Sequence, residues 1–202
     1  MSFTVKHTQI EISFVLLCVA ALSVIAGVYK PFCYGVSAIV IHETGHFLAM
    51  KYYGYFPQRI KISLFAIHIT DELRHSRSRR ENFFIIFFGP AANSICVFAF
   101  YLLYLLGIER SLPFVTANLS VGILNSLPVI SLDGGQLCYL LLCRRHSGET
   151  AERVLMIFTA VLLIPLAAAG FIILFQSRGN ASLLFVCAYL FLSLLLRDND
   201  YY

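Results

Sequence analysis

The sequence predicts an α-helical polytopic membrane protein with about six transmembrane helices and a small membrane-associated β element between helices 2 and 3. Three observations carry this: composition, the length of the apolar runs and the placement of the basic residues. Of 202 residues, 59% are hydrophobic and 13% charged, whereas a soluble domain carries about 25% charged residues. Several apolar runs exceed the roughly 18 residues needed to cross a hydrocarbon core of about 30 Å, and short polar connectors separate them. Six crossings put both termini on one side. Lys6, Lys51, Arg59, Lys61, Arg74, Arg77, Arg79, Arg80, Arg144, Arg145, Arg153 and Arg197 then share that side, leaving only Lys30, Arg110 and Arg178 opposite. This positive-inside bias makes both termini and the 51–82 connector cytoplasmic.

The first span is expected at Ile10 to Val28. Lys6 and His7 precede it as in a secretory signal, but it exceeds the 7 to 15 apolar residues of a typical signal core and reads as an uncleaved span. The second runs from Phe32 to Tyr53 and the third from Phe83 to Leu106. A fourth segment, Leu112 to Leu142, would measure roughly 46 Å as one straight helix, so it must break. Pro128 removes a backbone donor there, and Gly134-Gly135 follows a lone carboxylate, Asp133. The last spans are expected at Val154 to Phe175 and Ala181 to Leu196. In them Pro165 and Gly170 are equally compatible with a gating kink and with packing.

Between the second and third spans, residues 57–70 read P-Q-R-I-K-I-S-L-F-A-I-H-I-T. Ile60, Ile62 and Leu64 alternate with polar neighbours, and the apolar phase then moves to Phe65, Ile67 and Ile69. Period-two patterning with a phase slip predicts two short strands or one bulged strand. The following D-E-L-R-H-S-R-S-R-R-E-N reads as a solvated loop. With no repeat or low-complexity tract, residues 1–202 read as a single integral membrane domain.

The composition also excludes some functions. The basic residues form no patch interleaved with aromatics, so no nucleic-acid partner is expected. The six cysteines contain no C-x-x-C pair and lie in or beside apolar runs, as small buried hydrophobes do.

Among eleven acidic residues, only Glu43 and Asp133 fall well inside apolar spans. A charge at the bilayer centre costs at least about 2.5 to 3.5 kcal/mol, so such residues mark functional sites. Glu43 belongs to H42-E-T-G-H46. Positions i and i+4 share a helical face, so His42 and His46 can bind one ion together, with Glu43 to the side. Two imidazoles and a carboxylate suit zinc and leave a position for water. Asp133 is the remaining buried ligand type, and bringing it to the histidines would close a metal site between two helices. Zinc brings the proton loss of water near neutral pH, and Glu43 is placed to accept that proton and pass it to a leaving amine. The chemistry so described is peptide hydrolysis, about 10 Å in from the cytoplasmic end of the second span. Two other classes stay open on these residues: a non-hydrolytic metal-binding transporter or receptor using the same ligands, and an inactive scaffold.

The chain resembles the site-2 protease family of intramembrane zinc metalloproteases. H42-E-T-G-H46 matches that family's H-E-x-x-H, usually written with glycine fourth. N125-S-L-P-V-I-S-L-D-G134 matches N-x-x-P-x-x-x-L-D-G at every fixed position, and G89-P-A-A-N93 resembles its G-P-x-x-N element. The three cover a catalytic core of about residues 32–142. The resemblance implies zinc on His42, His46 and Asp133, with Glu43 as the catalytic base. It adds Asn125 as a contact to substrate or active-site water, with helix bridging as the alternative. Asn93 reads as structural, and Gly89, Pro90, Gly134 and Gly135 as backbone-shaping. It further implies that the 57–70 element holds an unwound substrate strand at its edge; an ordinary surface hairpin remains the alternative, and His68 within it reads as solvated or hydrogen-bonded. The expected partners are a membrane-anchored protein substrate and a regulatory membrane protein. With neither a PDZ nor a nucleotide-binding regulatory domain, the chain is most like the small sporulation-type members, which implies a multi-pass protein of a bacterial cell (inner) membrane.

Overall fold

A computed structural model of the chain describes residues 2–5, 8–12, 14–55, 59–62, 67–70, 77–177 and 182–195. Among them are four short strands and seven α-helices, in the order β1 (Ser2–Val5), β2 (Thr8–Ile12), α1 (Phe14–Ile25), α2 (Tyr29–Tyr52), β3 (Arg59–Ile62), β4 (Ile67–Thr70), α3 (Arg79–Leu105), α4 (Leu112–Ser126), α5 (Asp133–Leu142), α6 (Gly148–Gln176) and α7 (Ser182–Leu195). A 3-10 turn, Glu109–Ser111, precedes α4. The chain divides into two compact units, residues 1–124 and 125–202.

In the first unit the strands form one sheet in the order β1-β2-β3-β4, so β1 and β4 are its outer strands. β1 with β2 and β3 with β4 are antiparallel pairs, whereas β2 and β3 run parallel, with Ile10 opposite Ile60 and Ile12 opposite Ile62. A parallel pair needs a long crossover, and here α1 and α2 supply it. The region expected to carry one or two strands holds β3 and β4, with residues 57–58 and 63–66 outside the described set. His68 stands opposite Lys61.

The expected first span is corrected at its start. Ile10 to Ile12 belong to β2, and α1 has only 12 residues, about 18 Å of helix. The alternation of polar and apolar residues in T-Q-I-E-I, a strand signal, was absorbed into the apolar run that follows. By length and composition, α3 and α6 are the described helices able to cross a membrane, and α7 contributes a shorter apolar stretch, Leu183–Leu192. α2 has 24 residues but carries Lys30, His42, Glu43, His46 and Lys51.

The long helices expose large apolar residues on the side away from their buried stripe. On α3 the buried residues are Ile85, Gly89 and Asn93, four apart on one stripe, while Ile95 and Phe98 are 70% and 66% exposed. The buried stripe thus includes the small Gly89 and the polar Asn93 beside Ile85, while large apolar side chains also face outward. α6 repeats this, with Ala151, Leu155, Thr159 and Leu163 buried and Ile164 71% exposed.

Helix ends are explicit in the sequence. α3 starts at Arg79 inside the stretch expected to be a solvated loop, whose residues 71–76 lie outside the described set. The cause is a capping box: Glu81 N–H donates to Ser78 Oγ, and Ser78 N–H donates to the Glu81 carboxylate. Ser147 caps α6 by accepting from Thr150 N–H, so that helix starts at Gly148, six residues before the expected span. α2 and α3 both end in a left-handed glycine, Gly54 at φ 80° and Gly107 at φ 89°. In each case the residue after it donates to a carbonyl five positions back, Tyr55 to Met50 and Ile108 to Leu103, a Schellman stop.

The second unit contains the break expected between Leu112 and Leu142. α4 ends at Ser126 and α5 begins at Asp133. Between them the backbone satisfies itself: Val129 N–H donates to the Leu127 carbonyl and Leu132 N–H to that of Val129. Ile130 N–H donates to Thr159 Oγ1, which itself donates to the Leu155 carbonyl on α6. Non-helical backbone at membrane depth persists only with such partners. Gly134 and Gly135 let the connector lie on the first turn of α5; a Cβ on either would overlap the carbonyl of Ser126 or Val129. Val129, Leu163 and Leu190 form the core beside it. Gly170 packs against Leu184 of α7, where a Cβ would meet the leucine side chain.

Candidate metal centre

His42 and His46 occupy one face of α2, with ring centroids 4.8 Å apart and planes at 81°. α2 can carry them against α3 because Gly45, between them, is buried: a Cβ there would strike the Phe88 carbonyl and the Ala92 side chain. The fourth-position glycine of H42-E-T-G-H46 is therefore a helix-contact residue. On α3, Gly89 clears space for the rings themselves, since a Cβ would overlap His46 Nε2 and Cε1 and touch His42 Cε1. Pro90, next to it, leaves the Ile86 carbonyl without its intrahelical donor and loosens this turn.

Each imidazole is held by its Nδ1. His46 Nδ1 lies 2.8 Å from the Ile85 carbonyl oxygen, which can only accept, so Nδ1 carries the proton and Nε2 a lone pair. His42, 3% exposed, places Nδ1 2.6 Å from Asn93 Oδ1. The amide nitrogen of Asn93 donates to the Ala38 carbonyl at 3.0 Å and to Asn118 Oδ1 at 2.9 Å. Asn93 Oδ1 is thus an acceptor, and His42 also turns a lone pair outward at Nε2.

The two Nε2 atoms stand 3.2 Å apart. Two lone pairs facing one another at that distance repel unless a proton or a cation lies against both. With both Nδ1 atoms bonded to oxygen acceptors, the pair has the preparation found for metal-binding histidines. The donor set fits zinc.

Glu43, one residue on from His42, is half-buried on the flank of the same helix. In the second unit, Asp133 opens α5 and is half-buried, its carboxylate in the first turn where the helix dipole favours negative charge. Asn125, half-buried, is the last residue but one of α4.

The helix ends below the histidines are tied together. Tyr55 O–H donates to Glu81 at 3.1 Å, and the Arg77 guanidinium lies 4.4 Å over the Tyr55 ring. Burial, then the bond to Glu81, pushes the Tyr55 hydroxyl above its ordinary range, and burial lowers the Arg77 guanidinium. Tyr53 and Tyr55 cover the core of Ala49, Met50 and Ile85, so this tie sits behind the carbonyl that holds His46.

Sequence reasoning missed Asn118, fully buried on α4, and Thr159, fully buried on α6. The available signal was polarity: each is a hydrogen-bonding side chain in an apolar helix. Asn93, read as structural, is fully buried and contacts a site histidine directly.

No protein-family model matches the chain. Over 139 residues, 67% of its length, it is 27% identical to stage IV sporulation protein FB of Bacillus subtilis (strain 168). The matched stretch is 48% of that protein, so the chain spans about half the length of this curated relative. Among solved structures, the site-2 protease from Methanocaldococcus jannaschii superposes with a TM-score of 0.71 at 18% identity, over 100% of this chain and 98% of the other. The fold of this chain is that of a site-2 protease, the family its H-E-x-x-H and N-x-x-P-x-x-x-L-D-G motifs resemble.

Proposed function

We propose that the chain is an intramembrane zinc endopeptidase that hydrolyses a peptide bond in or near a transmembrane segment of a membrane-anchored precursor. One observation carries the reading: two imidazoles, His42 buried and His46 half-buried, both bound through Nδ1, turn their Nε2 atoms toward each other at 3.2 Å. His42, His46 and Asp133 each offer one ligand atom to a metal ion. We assign Asp133 as the third ligand on the chemistry of those donors and on its place in N125-S-L-P-V-I-S-L-D-G134. A zinc ion held there supplies a Lewis acid that polarises a carbonyl and activates water.

Glu43 accepts the proton of the attacking water on a carboxylate oxygen and returns it to the leaving amine nitrogen as the C–N bond breaks. His42 and His46 keep their protons on Nδ1 throughout, since Asn93 and the Ile85 carbonyl hold them there. Asn125 contacts the substrate or the water through its amide. A helical substrate hides its carbonyls, so the scissile segment must be extended. An outer strand of the four-stranded sheet, β1 or β4 among the described residues, offers an edge for it, with the sheet at the membrane surface.

Residues 1–202 act as one metalloprotease domain in a multi-pass membrane protein of a bacterial cell membrane. About six segments cross or enter the bilayer, and both termini and the 51–82 connector face the cytoplasm. The basic residues of the connectors support this topology. The protein substrate is membrane-anchored, and a regulatory membrane protein governs its access.

The test is co-expression with candidate single-span proteins, with product masses compared between wild type and Glu43→Gln. The proposal expects cleavage within the substrate's span by wild type, and none by the variant at equal zinc content. Equal cleavage by both, or cleavage by zinc-free wild type, would overturn it.

A further inference from the structure

The bonds around His42 do not stop at Asn93. Asn118 Nδ2 donates to the Phe114 carbonyl on its own helix at 2.9 Å, which forces Asn118 Oδ1 to be the atom facing Asn93. That oxygen accepts from Asn93 Nδ2, whose second proton goes to the Ala38 carbonyl. Two backbone carbonyls, unable to donate, therefore orient both amides, and the only atom left to meet His42 Nδ1 is an oxygen. Both asparagines are fully buried, so water offers no alternative partner. Asn118 lies outside every motif in the sequence, and its hydrogen bonds run to Asn93 and the Phe114 carbonyl and not to a histidine.

We propose that Asn118 is a positioning residue for His42: it locks the Asn93 amide so that its oxygen meets Nδ1, and so commits His42 to present Nε2 to the metal. The inference rests on the metal-binding reading above. Without Asn118 Oδ1, Asn93 is held by the Ala38 carbonyl alone and is free to offer its NH2 to His42. The imidazole then moves its proton to Nε2 and the ligand lone pair is lost. An acid at position 118, neutral because its apolar surroundings raise a carboxyl pKa, restores the pattern. Its O–H donates to the Phe114 carbonyl and its other oxygen accepts from Asn93.

The experiment uses the full chain in detergent, with zinc as the probe. Affinity is read by chelator competition and helix content by circular dichroism, and the imidazole protons are located by nitrogen-15 NMR on the zinc-loaded protein. Asn118→Leu is expected to bind zinc about 10- to 100-fold more weakly, the usual effect of an outer-shell partner, at unchanged helix content. Asn118→Asp is expected to recover most of that loss. In wild type the His42 proton is expected on Nδ1. Undiminished affinity in Asn118→Leu, or zinc bound through His42 Nδ1 in wild type, overturns the inference. If Asn118→Leu does not fold, the wild-type proton position and Asn118→Asp decide alone. A wild-type chain that binds no zinc overturns the metal reading and this inference together. Zinc bound with the proton on Nδ1 but no cleavage of any substrate overturns only the protease reading.

Discussion

The histidine half and the aspartate half of the proposed site are built on opposite plans. His42 and His46 sit on an unbroken helix, α2, and their orientation comes from side chains and carbonyls on other elements: Asn93 and Ile85 on α3, with Asn118 on α4 behind them. Asp133 sits at the start of α5, just after a break, and its backbone is placed by local packing. Gly134 and Gly135 admit the 127–132 connector, and Thr159 holds the Ile130 amide. A continuous helix already positions its Cα atoms, so what remains to be set is the ring and its proton. A broken helix must first have its backbone set. Substitutions in the first half should therefore register in metal affinity, and those in the second half in stability.

The largest expected effect lies outside both plans. Glu43→Gln keeps the shape but cannot accept a proton, and should lower cleavage about 10²- to 10⁴-fold with zinc content unchanged, as product formation and metal analysis would show. Gly89→Ala comes next. Its Cβ would overlap His46 and press on His42, so zinc affinity should fall by more than the roughly 100-fold upper range of outer-shell changes, while the thermal midpoint shifts little. Asn93→Leu should weaken zinc about 10- to 100-fold by chelator competition. A stability loss with normal affinity would break the contrast between the halves.

Thr159→Val tests the other half. It strands the buried Ile130 N–H and should cost about 1 to 3 kcal/mol in unfolding. Urea or thermal denaturation of the purified protein reads this directly. The smallest effect belongs to Tyr55→Phe, which removes one hydrogen bond to Glu81 and should lower the thermal midpoint by less than Thr159→Val does. An effect of Tyr55→Phe on zinc larger than that of Asn93→Leu would show that the tie between the helix ends, not the amides, positions the rings.

Much of this was legible in the sequence because it is written in local signals. H42-E-T-G-H46 puts two imidazoles on one face by helix periodicity alone, and Pro128 with Gly134-Gly135 announces the break between α4 and α5. The start of α3 was equally local, S78-R-R-E81 being a capping box, but the charge of the surrounding stretch masked it. The short α1 was hidden by the apolar residues of β2 running into it. What the sequence withheld were pairings between distant positions. Asn93 meets Asn118 across 25 residues, Ile130 meets Thr159 across 29, and His46 meets the Ile85 carbonyl across 39. No periodicity encodes these partners, and a backbone carbonyl leaves no side-chain trace at all.

The central claim is that His42, His46 and Asp133 together hold zinc. X-ray absorption at the zinc edge of the purified full chain tests it most directly. The account predicts a spectrum of nitrogen and oxygen donors, with two imidazoles at about 2.0 to 2.1 Å and carboxylate or water oxygen at about 2.0 to 2.2 Å. It also predicts that the imidazole signature disappears in His46→Ala. A spectrum dominated by sulfur at about 2.3 Å, or one unchanged by His46→Ala, would contradict it.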